Sequence, residues 1–226
     1  MNGRGLRVWA NLGGLVFVVL MVAGAMLLFD GPQGSSPAKM AAYYGSSSNR
    51  THLNIGWLLA GLGLFFLVWF VAALREHVAA GERTRPEDGS LLSTIVTIGG
   101  ASSIAVTMAA IAVSSGVKTM SDDTYHHQVY SGIIHAAGDA TYVMVVTGAA
   151  GMAALIFATA SAVFSYGFLP RWVGWFGVVA GVAAIISLFF FTMLVWLLWI
   201  AVTSVMLYLR ARSSRVEAPH PAAAAA

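Results

Sequence analysis

Residues 172–209 form an uninterrupted run of 38 residues with no charged side chain and no histidine. No soluble surface can be made from such a segment, so lipid must be its solvent. As one α-helix it would be about 57 Å long at 1.5 Å per residue, nearly twice the ~30 Å hydrocarbon thickness of a bilayer. It should therefore cross twice. Neither Gly nor Pro marks the turn between Gly181 and Leu209, but the flanks do. Arg171 precedes the run, and Arg210, Arg212 and Arg215 follow it. Basic residues favour the cytoplasmic side, so the chain goes out and returns. The turn is expected near Phe191–Leu194, and one long kinked helix is the alternative.

The rest of the chain has the same character. Of its 226 residues 58% are hydrophobic and only 9% charged, against roughly 25% charged in soluble domains. Further spans are expected at 8–29, 53–74, 91–115 and 140–164, with 172–190 and 193–209 completing six. The fold class is an all-α, polytopic six-helix transmembrane bundle. Residues 1–215 form a single domain, and the Ala/Pro tail 216–226 has no means of burying a core and is expected to be disordered. The first apolar stretch follows Arg4 and Arg7. It is longer than a signal-peptide core and lacks a small-x-small cleavage site after Phe29, so it reads as a retained helix.

Charge sets the orientation. With both termini cytoplasmic, nine basic residues lie inside (Arg4, Arg7, Arg75, Arg83, Arg85, Arg171, Arg210, Arg212, Arg215) and three outside (Lys39, Arg50, Lys118). The opposite orientation reverses that ratio. The expected location is thus the cell (plasma) membrane, multi-pass, with lipid as the main partner. The pI near 9.4 is a topology signal. No basic stripe exists to bind nucleic acid. The absence of Cys excludes disulfides and thiolate metal sites.

The outer segments carry the polar chemistry. Ser36 before Pro37 and Gly45 after Tyr44 predict a short interfacial helix over Pro37–Tyr44. Asn49-Arg50-Thr51 has the form of a glycosylation sequon, relevant only in a eukaryotic secretory pathway. Asp122, Asp123, His126, His127, His135 and Asp139 gather in and after the segment Gly116–Ala137, on the same side as Asp30 and His52. On a helix, residues four apart share a face, which pairs Asp122 with His126, Asp123 with His127 and His135 with Asp139. Most loop carboxylates and histidines are simply solvated, and Asp122 and Asp123 read first as a helix start. The His135–Asp139 pair stands closest to the bilayer edge on an otherwise apolar helix, where polar groups tend to face a bundle interior or a wet cavity. The candidate ligand-binding residues are His135, Asp139, His52, Arg50 and Asp30. The candidate metal ligands are His135, Asp139 and His127. Imidazole with carboxylate suits a divalent transition metal. No haem is expected, because no span carries an axial histidine at its centre.

Within the six spans no charged residue or His is expected at the core, which argues against a proton relay. Span three bears Thr94, Thr97, Ser102, Ser103 and Thr107. These could line a narrow polar path, although hydroxyl–backbone bonding is the commoner use. Ala150, Ala154, Ala158 and Ala162, and Gly177 with Gly181, form small-residue ladders that favour tight packing within the chain, with dimerisation a lesser use. Trp172 and Trp175 read as an inner interfacial belt, and Trp196 and Trp199 open the last helix.

The segment Leu169-Pro170-Arg171-Trp172-Val173-Gly174-Trp175 resembles the loop entering the fifth helix of uncharacterised bacterial six-helix membrane proteins. The match covers seven residues. It implies six helices and a bacterial, actinobacterial source, and it carries over no functional residue.

Three functions compete. The first is a binding protein whose outer His/Asp site takes a small ligand, metal ion or proton for transport or sensing. The second is an accessory or assembly subunit, with a membrane-protein partner or a second copy docked on its small-residue faces. The third is a metal-dependent membrane enzyme acting on lipid or hydrocarbon, which needs three convergent ligands. A non-enzyme is the expectation.

Overall fold

The computed structural model describes residues 3–28, 36–119, 131–187 and 190–216. They form seven α-helices and one 3-10 turn: α1 (Gly3–Leu28), α2 (Pro37–Gly45), α3 (Ser47–Glu82), the turn Pro86–Asp88, α4 (Leu91–Thr119), α5 (Ser131–Tyr166), α6 (Arg171–Ile185) and α7 (Phe190–Val216). Five of these, α1, α3, α4, α5 and α7, are long and apolar enough to cross a membrane. The sixth apolar helix, α6, has 15 residues, about 22 Å of rise and short of the hydrocarbon thickness.

The long helices overshoot their expected apolar cores. α3 starts at Ser47 and runs to Glu82, and α5 starts at Ser131. The polar stretch Arg75–Ser90 reads as a loop in the sequence. Its first half is instead the end of α3, because charged side chains do not break a helix. The break comes at Pro86 and at Gly89, which has φ 65°. α2 forms as expected, with Pro37 in its first turn. Ser36 donates no side-chain cap, and the helix stops through Ser46 in an extended conformation rather than through Gly45. Between α6 and α7 the change of direction falls after Ile185, with Ile186 as the C-cap, and α7 has begun by Phe190. Residues 191–194 lie inside α7, so the expected turn is displaced by about one helical turn. Apolar composition alone leaves that position open. The tail 217–226 lies outside the described residues.

The six long or apolar helices form a closed ring. Each packs on the next in the order α1, α3, α4, α5, α6, α7, and α7 returns to α1. Two crossings are close enough to require glycine. A Cβ on Gly99 would stand 2.5 Å from the Gly151 carbonyl oxygen, and one on Gly151 would stand 2.7 Å from that of Gly99. Gly24 and Gly56 make the corresponding crossing of α1 on α3, at 2.8 and 3.2 Å. Without a hydrophobic driving force between helices in lipid, such close approach supplies the packing attraction.

The interior of the ring is lined with large apolar side chains. Phe17, Leu64, Leu67, Phe70, Leu74, Met152, Leu155, Ile156, Trp199 and Ile200 fill its interior and are almost wholly buried. The three threonine hydroxyls of α4 that the sequence singles out turn back on the main chain one turn earlier. Thr94 donates to Ser90 O (2.7 Å), Thr97 to Ser93 O (2.9 Å) and Thr107 to Ser103 O (2.8 Å). Gly177 lies against Trp199 and Ala160, and Gly181 against Phe157, so this ladder is consumed inside the chain. Ala158 and Ala162 are buried as well. Trp172 and Trp175 are exposed. Trp199 is a core residue whose indole N–H donates to Val173 O at 3.2 Å, tying α7 to α6.

Candidate functional site

At the end of the bundle that carries His52 and His135, the structure separates the expected residues. His135 and Asp139 stand on one continuous helix, since Gly132 and Gly138 do not interrupt α5, and both side chains are exposed. Neither forms a hydrogen bond or ion pair with a described residue. His52 is exposed on α3. Arg50 serves the architecture, because its Nη1 donates to the carbonyls of Tyr44 (3.1 Å) and Gly45 (2.9 Å). Asn49 Nδ2 adds a bond to Tyr43 O at 3.1 Å. Together they close the C-terminus of α2 onto the start of α3, where orphan carbonyls and the negative end of the helix dipole favour a cation. Burial, with Tyr43 alongside, pushes the Tyr44 phenol above its ordinary value. α2 also touches α5, which brings it toward the His135 end of that helix. Asp30, Asp122, Asp123, His126 and His127 lie outside the described residues. Among the described residues no three His, Asp or Glu side chains converge as a metal site would need.

The opposite end holds a polar network that sequence reasoning did not pick out. Asn11 on α1 is 2% exposed and is its hub. Its side-chain Oδ1 accepts from His77 Nε2 on α3 at 3.3 Å. Its main-chain carbonyl accepts from the Ser204 hydroxyl of α7, and Ser204 Oγ in turn accepts from the Leu15 amide at 3.0 Å. In a regular helix the Leu15 N–H and the Asn11 C=O bond to each other. Here the hydroxyl of another helix also contacts both groups, beside Gly13 and Gly14. The His77 ring lies parallel to Phe168, with centroids 6.2 Å apart. The Phe168 carbonyl accepts from Arg210 Nη1 of α7. Arg210 and Glu76 are within electrostatic reach of His77. One chain of contacts thus joins α1, α3, the α5–α6 connection and α7.

Glu82 lies on the core line of α3. Leu67, Val71, Leu74 and Val78 precede it at spacings of three and four, and it is 4% exposed. Its Oε1 accepts the Ser93 amide at 3.0 Å, so the carboxylate of one helix caps the first turn of the next. The positive end of the α4 dipole favours that charge. Glu82 Oε2 is buried with no hydrogen-bond partner among the described residues. The signal is present in the periodicity, four residues beyond Val78, but it shows only once α3 is allowed to continue past Arg75. Asn11 and Ser204 are polar residues on otherwise apolar faces, and nothing in their spacing says that they meet.

No protein-family model matches the chain, and neither a curated protein nor a solved structure does. The protein is therefore characterised by its own geometry, that of an all-α bundle with five helices long and apolar enough to span a membrane.

Proposed function

We propose that this chain is a six-span plasma-membrane protein of bacterial type, with both termini cytoplasmic, that binds a small ligand, metal ion or proton at its outer face and acts as a sensor. The observation that carries the binding role is the His135–Asp139 pair. It occupies one exposed face of a continuous helix and is bonded to no described residue, above an interior filled with side chains. A filled interior favours binding over passage. His52 is a further exposed group at this end, the sequence adds Asp30 and His127 to the same expected side, and Arg50 supplies positive charge. A divalent transition metal is the ion that this set would take.

Six spans require α6 to cross. Arg210 reaches the carbonyl of Phe168, so the residues just before α6 and those near the end of α7 meet at one end of the bundle. That contact supports an out-and-back path for α6 and α7. The nine-to-three division of basic residues supports cytoplasmic termini.

The test is to replace His135 and Asp139 by Ala, singly and together, in the full chain. Zinc content after purification, zinc binding by calorimetry and the pH response of tryptophan fluorescence are then compared with wild type. Loss of any of these responses in the double variant is expected. Identical behaviour in all three measurements sinks the proposal. A heterologous membrane protein that copurifies stably with both forms would then favour an assembly subunit.

A further inference from the structure

We infer that the groove between the α5–α6 connection and the last turns of α7 seats the headgroup of an anionic glycerophospholipid. The inference rests on the helices crossing a bilayer and is independent of the outer-face proposal.

The groove has a volume of about 500 Å³ and is walled by Phe168, Leu169, Met206, Leu209, Arg210 and Ser213 among others. Its chemistry is graded along α7. Met206 and Leu209 come first, then Arg210 and Ser213, over about 10 Å of helix rise. Acyl and glycerol carbons meet the apolar part, and a phosphate meets the guanidinium and the hydroxyl. Arg210 is exposed, and the bond from its Nη1 to the Phe168 carbonyl orders the planar fork that suits a phosphate. Leu209 is 52% exposed, so the wall is open to lipid. Arg171 and Arg212 are exposed near the same two chain segments. Arg171 lines a second hollow of about 270 Å³ together with Phe164 and Trp175. The same pairing of arginine with apolar wall therefore occurs on both sides of the connection. Glu76 is an acidic group acting on His77 at this corner, against the three arginines Arg171, Arg210 and Arg212. Such a combination at a helix end is complementary in charge and shape to an anionic lipid.

The experiment uses the purified full chain in detergent micelles, titrated with phosphatidylglycerol or with phosphatidylcholine of the same acyl chains, and counts bound lipids by native mass spectrometry. Phosphatidylglycerol should be retained about tenfold better. Arg210→Gln should reduce that preference about fivefold, and Arg171→Gln by less. Since Arg210 also holds the Phe168 carbonyl, Leu209→Glu provides a second variant. It places a negative charge on the exposed wall without removing that bond and should abolish the preference. Millimolar inorganic phosphate should not displace the lipid, and displacement would mark a free-anion site instead. Equal retention of the two lipids by wild type, or a preference unchanged in both Arg210→Gln and Leu209→Glu, overturns the inference.

Discussion

His77 and His135 sit near the ends of two helices of equal length, 36 residues each. His77 is half-buried, bonded to Asn11 and stacked on Phe168. His135 is exposed, with no bond to a described residue. The difference follows from the connections. At the His77 end, α3 joins α4 through residues 83–90, and α5 joins α6 through 167–170. Short links bring neighbouring helices and main-chain carbonyls within reach of any polar side chain there. At the His135 end, residues 29–46 join α1 to α3, and 120–130 join α4 to α5. α6 and α7 meet at this end too, through 186–189, but the two links that flank His135 and His52 in sequence are the longer ones. His77 is thus taken up by architecture, as Arg50 and Asn49 are at the other end, whereas His135 and Asp139 stay exposed.

That contrast can be broken by substitution. His77→Ala removes a ring from beside Phe168 and orphans Asn11 Oδ1. A loss of about 2–3 kcal/mol is expected in unfolding by SDS from mixed micelles. An unaltered unfolding midpoint would show that the network is incidental. Glu82→Ala should cost about 1–2 kcal/mol by uncapping α4, whereas Glu82→Gln keeps an acceptor and should recover most of it. If Gln is as damaging as Ala, the charge rather than the acceptor is what α4 needs. Ser204→Ala should cost only about 1 kcal/mol, because the Asn11 carbonyl and the Leu15 amide are natural helix partners of each other without the hydroxyl. A loss above about 3 kcal/mol would mean that the hydroxyl holds the ring shut. Least of all should change in the stability of the His135→Ala/Asp139→Ala double variant. Its melting temperature should stay within about 1–2 °C of wild type, while its outer-face response disappears. A large drop in melting temperature would move this pair to the structural side of the comparison.

Much of the bundle is legible in the sequence. Span-length apolar runs can satisfy their main-chain groups in lipid only as helices or barrels, and the uncharged 38-residue run has to fold back on itself. The helix ends are less legible. Hydropathy reports where lipid stops, not where hydrogen bonding stops, so Ser47–His52 and Arg75–Glu82 read as loop although they are helix, and the start of α5 at Ser131 lies well before its apolar span. The network around Asn11 is hidden for a related reason. Helical spacing tells which face a residue shares, as it does for His135 and Asp139. It cannot tell which residue of a distant helix will stand opposite, as Ser204 stands opposite Asn11.

The bridge between those two residues also bears on synthesis. Asn11 and Ser204 are 193 positions apart, so at about 5–20 residues per second roughly 10–40 s separate their appearance from the ribosome. α1 must wait that long in the membrane with the Asn11 carbonyl and the Leu15 amide bonded to each other or to water. Its glycine crossing with α3, made much earlier, can hold it in place meanwhile. Closing the ring is therefore the last act of assembly, and a chain halted before α7 would be left as an open arc.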